Sequence, residues 1–402
     1  MRTVLCSNVA YYHPLARALF EAGHLAQYIT CPSVAPGQPP PRFLPDYWRS
    51  KLAGRDLEVV PTSLVRQLYL PEILQKSLPA LKLCSADHAD RINNYLFDRT
   101  AARHLEPCTI LHFVSGIGLH CARKAKQWGS TAICDVRQEH PWFQRDILAE
   151  EAERWQVEAV VPGTSYEARV LEEFTLADYF VLPSLHAKNT FVERGFAADR
   201  IWVWPYGVNL TIFPERQQPP PNDRFNIVYV GSVTLRKGAQ YLLEATRLLQ
   251  PLPLEITFVG ALSPEMEPIL KRYEGLFTWA GAMPKTQLHN VYRDASVFVL
   301  PSLADSFSLA TLEAMSSGVP VIISENTGAR EMVTQGCEGF VVPIRNAAAI
   351  AEHLAYLYHH YEAAAEMGRA GARRARTCTW ERYRSIAMAH YDTLRPESRL
   401  VT

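Results

Sequence analysis

The sequence predicts an α/β fold built as two doubly wound parallel-sheet domains facing each other across a cleft. Three observations predict it. Short apolar runs of strand length alternate with helical runs along the chain; that is the rhythm of a parallel sheet covered by helices on both faces. The strongest break in the alternation is at Pro214 to Asp223, where Pro219, Pro220 and Pro221 stand in a row and can continue neither a helix nor a central strand. The chain has 402 residues, too long for one ordinary core.

The elements follow in order. Thr3 to Ser7 reads as a strand, Pro14 to Glu21 as a helix and Leu25 to Ile29 as the next strand. Cys31 to Pro45 is rich in proline and reads as a surface excursion. Ile110 to Val114, a helix from Leu119 to Trp128, and strands at Thr131 to Val136, Tyr179 to Leu182 and Ile201 to Trp204 complete a first Rossmann-like unit, residues 1–213. After a linker at 214–223, a second unit spans 224–378. It reads as strand Asn226 to Val230, helix Ala239 to Leu249, strand Glu255 to Val259, strand Val297 to Leu300, helix Ser308 to Ser317 and strand Val319 to Ile323. In the first of those helices Leu242, Ala245 and Leu249 share one face. The tail, 379–402, is helical from Trp380 to Leu394. Domains of this kind take ligands at the C-terminal ends of their strands.

Composition narrows the function. The hydrophobic fraction is 48% and the charged fraction 20%, with zero formal net charge; this is a globular chain with no long-range pull on nucleic acid. None of the eight cysteines pairs as Cys-x-x-Cys, so reduced thiols in the cytoplasm are expected rather than disulfides or a metal site. Met1-Arg2-Thr3 leads straight into a strand without the apolar centre of a signal peptide, and no run approaches the ~20 apolar residues of a membrane span.

The most informative stretch is Asp305-Ser306-Phe307-Ser308-Leu309-Ala310-Thr311-Leu312-Glu313-Ala314-Met315. It follows a buried-strand run and a Pro301-Ser302 corner, so two carboxylates eight positions apart bracket a helix N-terminus at a strand end. The first amides of that helix suit a phosphate, and Glu313 lies within reach of polar hydroxyls. Upstream, Gly231-Ser232-Val233-Thr234-Leu235-Arg236-Lys237-Gly238 follows another strand. A glycine there admits a close ligand, and the cations beyond it can neutralise a diphosphate.

These residues resemble the donor site of family-four retaining glycosyltransferases with the GT-B fold, whose pattern is an acid, a Gly-Phe-Gly-like turn and a Glu eight positions on in a Leu-Glu-Ala-Met context. Phe307, Leu312, Glu313, Ala314, Met315 and Gly318 match it. Asp305 stands where the family has Glu, and Ser232 where it has Arg, while Lys237-Gly238 keeps the Lys-Gly. The resemblance implies a nucleotide-sugar donor of UDP or GDP type bound by Gly231, Ser232, Arg236, Lys237, Met283, Asp305, Ser306, Phe307, Ser308, Leu309 and Glu313. Lys237 and the amides around Ser308 and Leu309 would steady the departing diphosphate, Glu313 would accept from ribose, and Asp305 would bind the sugar. Arg236 either replaces the missing cation or points to solvent. The loop Gly281-Ala282-Met283-Pro284 would meet the base, chiefly through backbone. No cofactor is implied, and with no Asp-x-Asp at the donor site no metal ligand is expected.

On the first domain, Tyr206-Gly207-Val208-Asn209 with Phe213 and the run Glu167…Glu172-Glu173…Ala177-Asp178…Pro183-Ser184 resemble structural signatures of the same family. The family often places a His after the strand that here ends in Asp135-Val136-Arg137-Gln138-Glu139-His140. His140 is therefore the catalytic candidate beside Lys237 and Asp305, with His13, Asp135 and Arg137 completing the acceptor side. Gly116 and Gly118 lack the third glycine of a dinucleotide fingerprint, which disfavours a nicotinamide dehydrogenase. Asn326 to Glu331 reads equally as a turn with a capping Glu331 or as a ligand contact. Arg369, Arg373, Arg374 and Arg376 read as a solvated helix face, with weak contact to anionic lipid heads as the alternative. The expected activity is hexose transfer to a saccharide, lipid or small-molecule acceptor, with retention by front-face displacement. A phosphorylase or sugar-phosphate synthase, and a sugar-binding scaffold without turnover, are the competing readings.

Overall fold

The computed structural model describes residues 1–9, 12–34, 60–158, 164–221 and 223–395, together with Arg49, Leu52 and Leu57. Most of the proline-rich excursion expected at 31–45 falls outside the described residues.

Two sheets organise the described chain, both parallel throughout. The first has seven strands in the order β3-β2-β1-β4-β5-β6-β7: β1 Thr3–Ser7, β2 Leu25–Thr30, β3 Val65–Gln67, β4 Ile110–Val114, β5 Thr131–Asp135, β6 Tyr179–Leu182 and β7 Ile201–Val203. The second has six in the order β10-β9-β8-β11-β12-β13: β8 Phe225–Val230, β9 Leu254–Val259, β10 Thr278–Trp279, β11 Val297–Leu300, β12 Val321–Ser324 and β13 Gly339–Val342. The central strands are mostly apolar because they are covered on both faces; every residue of β11 and of β4, His112 included, is buried. Each such Val, Leu or Phe contributes about 1.5–3 kcal/mol of burial.

Each sheet reverses its strand order once, between β1 and β4 and between β8 and β11. Such a reversal is where ligands of open α/β sheets bind, at the loops leaving the two strands. In the second domain the two loops are Gly231 to Gly238 and Pro301 to Ser308. They touch at Gly238, whose φ is +73° and where an added Cβ would meet Pro301 O at 1.9 Å. Only glycine fits, and the contact locks the Lys237 loop against the Asp305 loop.

The segment 214–221 packs on the second domain instead of hanging between domains. Arg216 N donates to Ser317 O at 3.2 Å and Tyr361 OH donates to Pro220 O at 3.1 Å. Pinned at both ends, it is no free hinge. The helix Trp380–Asp392 returns to the first domain, where Tyr391 OH meets His112 Nδ1 at 2.8 Å and Trp204 Nε1 donates to His390 Nδ1 at 3.2 Å.

Candidate functional site

The helix Leu309–Ser316 begins directly above the end of β11. Its N-cap, Ser308, holds φ at +68°, a left-handed conformation that costs a non-glycine residue roughly 1–3 kcal/mol. The cap bonds offset that strain: Ser308 Oγ accepts from Thr311 N at 3.3 Å and lies 2.8 Å from Thr311 Oγ1. Strain retained at a strand end beside a crevice is characteristic of ligand sites.

Asp305 and Lys237 form a buried ion pair across the two loops. Burial alone would raise the Asp305 carboxyl, but the Lys237 and Arg236 charges outweigh it and hold the group below its ordinary range. Burial also pulls the Lys237 ammonium down; Asp305 opposes this, Arg236 adds to it, and Glu139 of the first domain lies near enough to oppose it as well. Arg236 does not point to solvent. Its Nη1 donates to Ala304 O at 2.6 Å, which adds a second cation beside Asp305.

Gly231 holds φ at +151°, and an added Cβ would meet nothing nearer than Tyr229 at 3.9 Å. The backbone therefore needs glycine there while the space above it stays open. Ser232 is exposed beside it. Glu313 is buried, with Oε1 3.3 Å from Lys285 Nζ and Oε2 3.3 Å from Tyr292 OH. Burial pushes its carboxyl up, and Lys285 and Tyr292 pull it back. Met283 is packed partly into the core. Phe307 is buried edge-on against Tyr206 at 5.3 Å, so its ring anchors the loop to the first domain and does not face the crevice. Ser306 ties the domains at two points: its Oγ donates to Arg137 O at 2.6 Å, and its carbonyl accepts from Ser184 Oγ at 2.6 Å.

Of the four residues expected on the acceptor side, only Arg137 lies at an opening. It borders a cavity beside the loop after β5 and a more polar one beside Asn8, Glu72 and Asp90. The other three are corrected by their surroundings. His140 is buried, ringed by Trp142, Phe174, Phe191 and Phe196. Its Nδ1 accepts from Trp142 N at 3.3 Å as the cap of the helix Pro141–Trp155, and burial pushes its pKa down to about 4, with Arg194 and Arg145 adding. It is a neutral structural imidazole. His13 Nδ1 meets Tyr28 OH at 3.0 Å and its Nε2 lies 3.3 Å from Ser33 Oγ, inside the core. Asp135 is buried against His112 Nε2 at 3.4 Å, in the group that receives the returning C-terminal helix.

The glycine turn Ser115 to Gly118 has its own partner. Glu173 accepts from Gly116 N at 2.6 Å and Gly118 N at 2.9 Å, so these amides cradle a carboxylate of the same domain. Burial pushes that carboxyl up to about 7, the two amides opposing. Glu331 caps a helix of the other domain: its Oε1 accepts from Leu185 N at 2.7 Å and His186 N at 3.1 Å, at the start of the helix Leu185–Val192. Sequence reasoning missed Lys285, Tyr292, Glu139 and His186. Among them only Glu139 carried a local signal, as the acid next to the chosen histidine.

Residues 213–374 match the family described as Glycosyl transferases group 1. The D-inositol 3-phosphate glycosyltransferase of Arthrobacter sp. (strain FB24) is 31% identical over 48% of this chain and 50% of its own length. The sulfoquinovosyl transferase of Arabidopsis thaliana is 27% identical over 40% and 34%. The chain thus spans half or less of the length of these curated relatives. Among solved structures, sucrose-phosphate synthase from Thermosynechococcus elongatus superposes with a TM-score of 0.66 at 20% identity, covering 98% of this chain and 99% of that one. Anabaena HepE in complex with UDP and glucose superposes with a TM-score of 0.67 at 13% identity, covering 98% and 100%. At these identities the likeness establishes the fold, which is GT-B. Among the described residues no helix is long and apolar enough to cross a membrane.

Proposed function

We propose that this chain, whose residues 213–374 match the glycosyl transferases group 1 family, transfers a hexose with retention from a UDP- or GDP-sugar to a hydroxyl acceptor in the cytoplasm. The observation that carries the reading is the buried Lys237–Asp305 pair where the loops after β8 and β11 meet, with Arg236 beside it and the helix Leu309–Ser316 starting just beyond Asp305. A diphosphate placed there meets an ammonium and partly positive amides, a preorganised setting for the charge that builds on a departing phosphate. Asp305 is the nearest carboxylate to accept from sugar hydroxyls, and Glu313 takes those of ribose. The UDP in the complex of Anabaena HepE and the sugar-transferring names of the relatives support the choice of donor. The free state of all eight cysteines suits a reducing compartment.

A thermal-shift panel of nucleoside diphosphates and their sugars tests the reading. A ligand at a hundredfold excess over its dissociation constant stabilises by about 2.7 kcal/mol. UDP or GDP should raise the melting temperature, and the matching nucleotide sugar should be slowly hydrolysed. A panel with no shift and no turnover would remove the reading.

A further inference from the structure

Two helices of the first domain border a cavity that the donor site does not use. The helix Tyr69–Ala80 brings Glu72, Gln75 and Lys76 to it. The helix Ala86–His104 brings Asp90, Asn93, Asn94 and Phe97. Each set follows the i, i+3, i+4 spacing of one helix face. A face turned toward a neighbouring helix is ordinarily apolar, yet of these side chains only Phe97 is. Hydrophobic packing does not explain the others. The cavity holds about 320 Å³, within the range of about 300–1,000 Å³ of small-molecule sites. Asn8, Cys31 and Arg137 border it from the loops that leave β1, β2 and β5. It therefore lies at the C-terminal ends of the strands, where open α/β sheets take their ligands.

Asn93 marks the cavity as a place for a ligand. It is 6% exposed, and its carboxamide has no hydrogen-bond partner among the described residues. Its neighbours are paired: Asn8 Nδ2 donates to Asn94 Oδ1 at 3.0 Å, and Gln75 Nε2 donates to Asp90 Oδ1 at 2.7 Å. A buried amide left open is costly and rare. A group that both donates and accepts would satisfy it.

The rest of the lining sets the chemistry of that group. Glu72 and Asp90 are balanced by Lys76 and Arg137. A phosphate would meet two carboxylates along with the two cations, and an apolar chain would leave the amides stranded. Hydroxyls suit every member, since they donate to carboxylates and amide oxygens and accept from amide and ammonium N–H. The location suits an acceptor. The Arg137 carbonyl accepts from Ser306 Oγ at 2.6 Å, and Ser306 follows Asp305, the residue placed on the donor sugar. We infer that this cavity holds an uncharged, polyhydroxylated ring of the acceptor, a sugar or cyclitol unit, with Asn93 and Asp90 selecting it. Calling the ring an acceptor rests on the glycosyltransferase reading; its binding does not.

Saturation-transfer NMR on the full chain tests the binding. The neutral probes are methyl α-glucoside, methyl α-galactoside, methyl α-mannoside, N-acetylglucosamine and myo-inositol; the anionic ones are glucose 6-phosphate and inorganic phosphate. At least one neutral ring should bind without nucleotide. Asn93→Leu should weaken it by about tenfold or more, the weight of one or two hydrogen bonds, and should raise the KM for that ring in transfer from UDP-glucose or GDP-mannose. The leucine replaces an unpaired amide, so the melting temperature should hold or rise. Asp90→Asn keeps the oxygen that accepts from Gln75 and should weaken the same ring. Affinity of both variants for UDP and GDP by calorimetry should equal that of wild type. Three results would each overturn the inference: no neutral ring bound, glucose 6-phosphate bound more tightly than methyl α-glucoside, or wild-type affinity for the ring in both variants. A ring that responds to both variants, in a protein that neither binds nor hydrolyses nucleotide sugars, would sink the transferase reading and leave the saccharide site standing.

Discussion

Glu313→Gln separates binding from folding. Glu313 is buried, and its bonds in the free protein are modest: Lys285 Nζ at 3.3 Å and Tyr292 OH at 3.3 Å. The Lys285 side chain is 64% exposed, so that pair contributes no more than about 1 kcal/mol after solvent screening. The Tyr292 hydroxyl can still donate to the glutamine carbonyl. Burial already raises the carboxyl, and a neutral amide relieves that cost. Folding stability should therefore change by no more than about 1 kcal/mol in either direction. Binding should respond differently. A ribose whose hydroxyls donate to the carboxylate loses a charge-assisted interaction of about 1.5–3 kcal/mol, or about 10–150-fold in affinity. Calorimetry with UDP and GDP, run beside thermal melts, reads both quantities. Affinity equal to wild type would refute the assignment of Glu313 to ribose; loss of affinity with an equal loss of stability would make it a packing residue.

Asp305→Asn leaves Lys237 buried without its anion, which should cost about 3–5 kcal/mol in the free protein. Saturating UDP, supplying the missing charge, should recover more melting temperature in this variant than in wild type; equal recovery would count against a diphosphate beside Lys237. Glu173 has a folded-state pKa of about 7 against an ordinary 4.5, so the folded state holds the extra proton between those values. The stability this provides is present below about pH 4.5 and lost as pH rises through 7, about 3 kcal/mol in all. Glu173→Gln should gain stability relative to wild type across that window in denaturant titrations, and parallel pH profiles would refute the shift. Arg345→Ala removes the guanidinium that bonds Glu151 across the cleft at 2.8 Å; small-angle scattering should show a more open molecule without ligand, and an unchanged profile would deny Arg345 that role. Transfer should persist in EDTA, because Lys237, Arg236 and helix amides face the diphosphate position; complete loss restored only by Mg or Mn would refute this.

The elements that carry the candidate site of the second domain were legible because they are local in sequence. A strand, a turn and a helix start lie within Val297 to Glu313, and their order alone places Asp305, the helix amides and Glu313 around one space. What it hid comes from other elements. Lys285 and Tyr292 reach Glu313 from a neighbouring helix 28 and 21 residues away, and nothing in their own neighbourhood announces that meeting. The acceptor side misled for a related reason. The Gly116 turn looked like an anion cradle, and it is one, but its anion is Glu173, 57 residues on. In Gln138-Glu139-His140 consecutive side chains turn to different sides, so choosing the histidine by residue type selected the group that faces the aromatic interior. A one-residue change in direction is beyond composition or spacing; it is set by Thr190 and Trp142, which fix His140 by its backbone amide and its ring.

The helix Pro141–Trp155 joins these two halves of the site. Glu139 lies just before its N-cap, His140. Near its end Glu151, fully buried, accepts from Gln240 Nε2 at 3.0 Å, Tyr241 OH at 2.6 Å and Arg345 Nε at 2.8 Å. Gln240 and Tyr241 follow Lys237 by only a few residues, past the Gly238 contact that fixes the Lys237 loop to Pro301. A charge so buried is tolerated only while all three donors are in place, and those donors belong to the second domain. Opening the cleft would strip Glu151 of them and at the same time withdraw Glu139 from Lys237. Domain closure should therefore depend on the Glu151 cluster, which ties the far end of this helix to the second domain. Weakening the Glu151 end should show as lost transfer at undiminished nucleotide affinity, since every residue that would touch the nucleotide lies on the second domain alone.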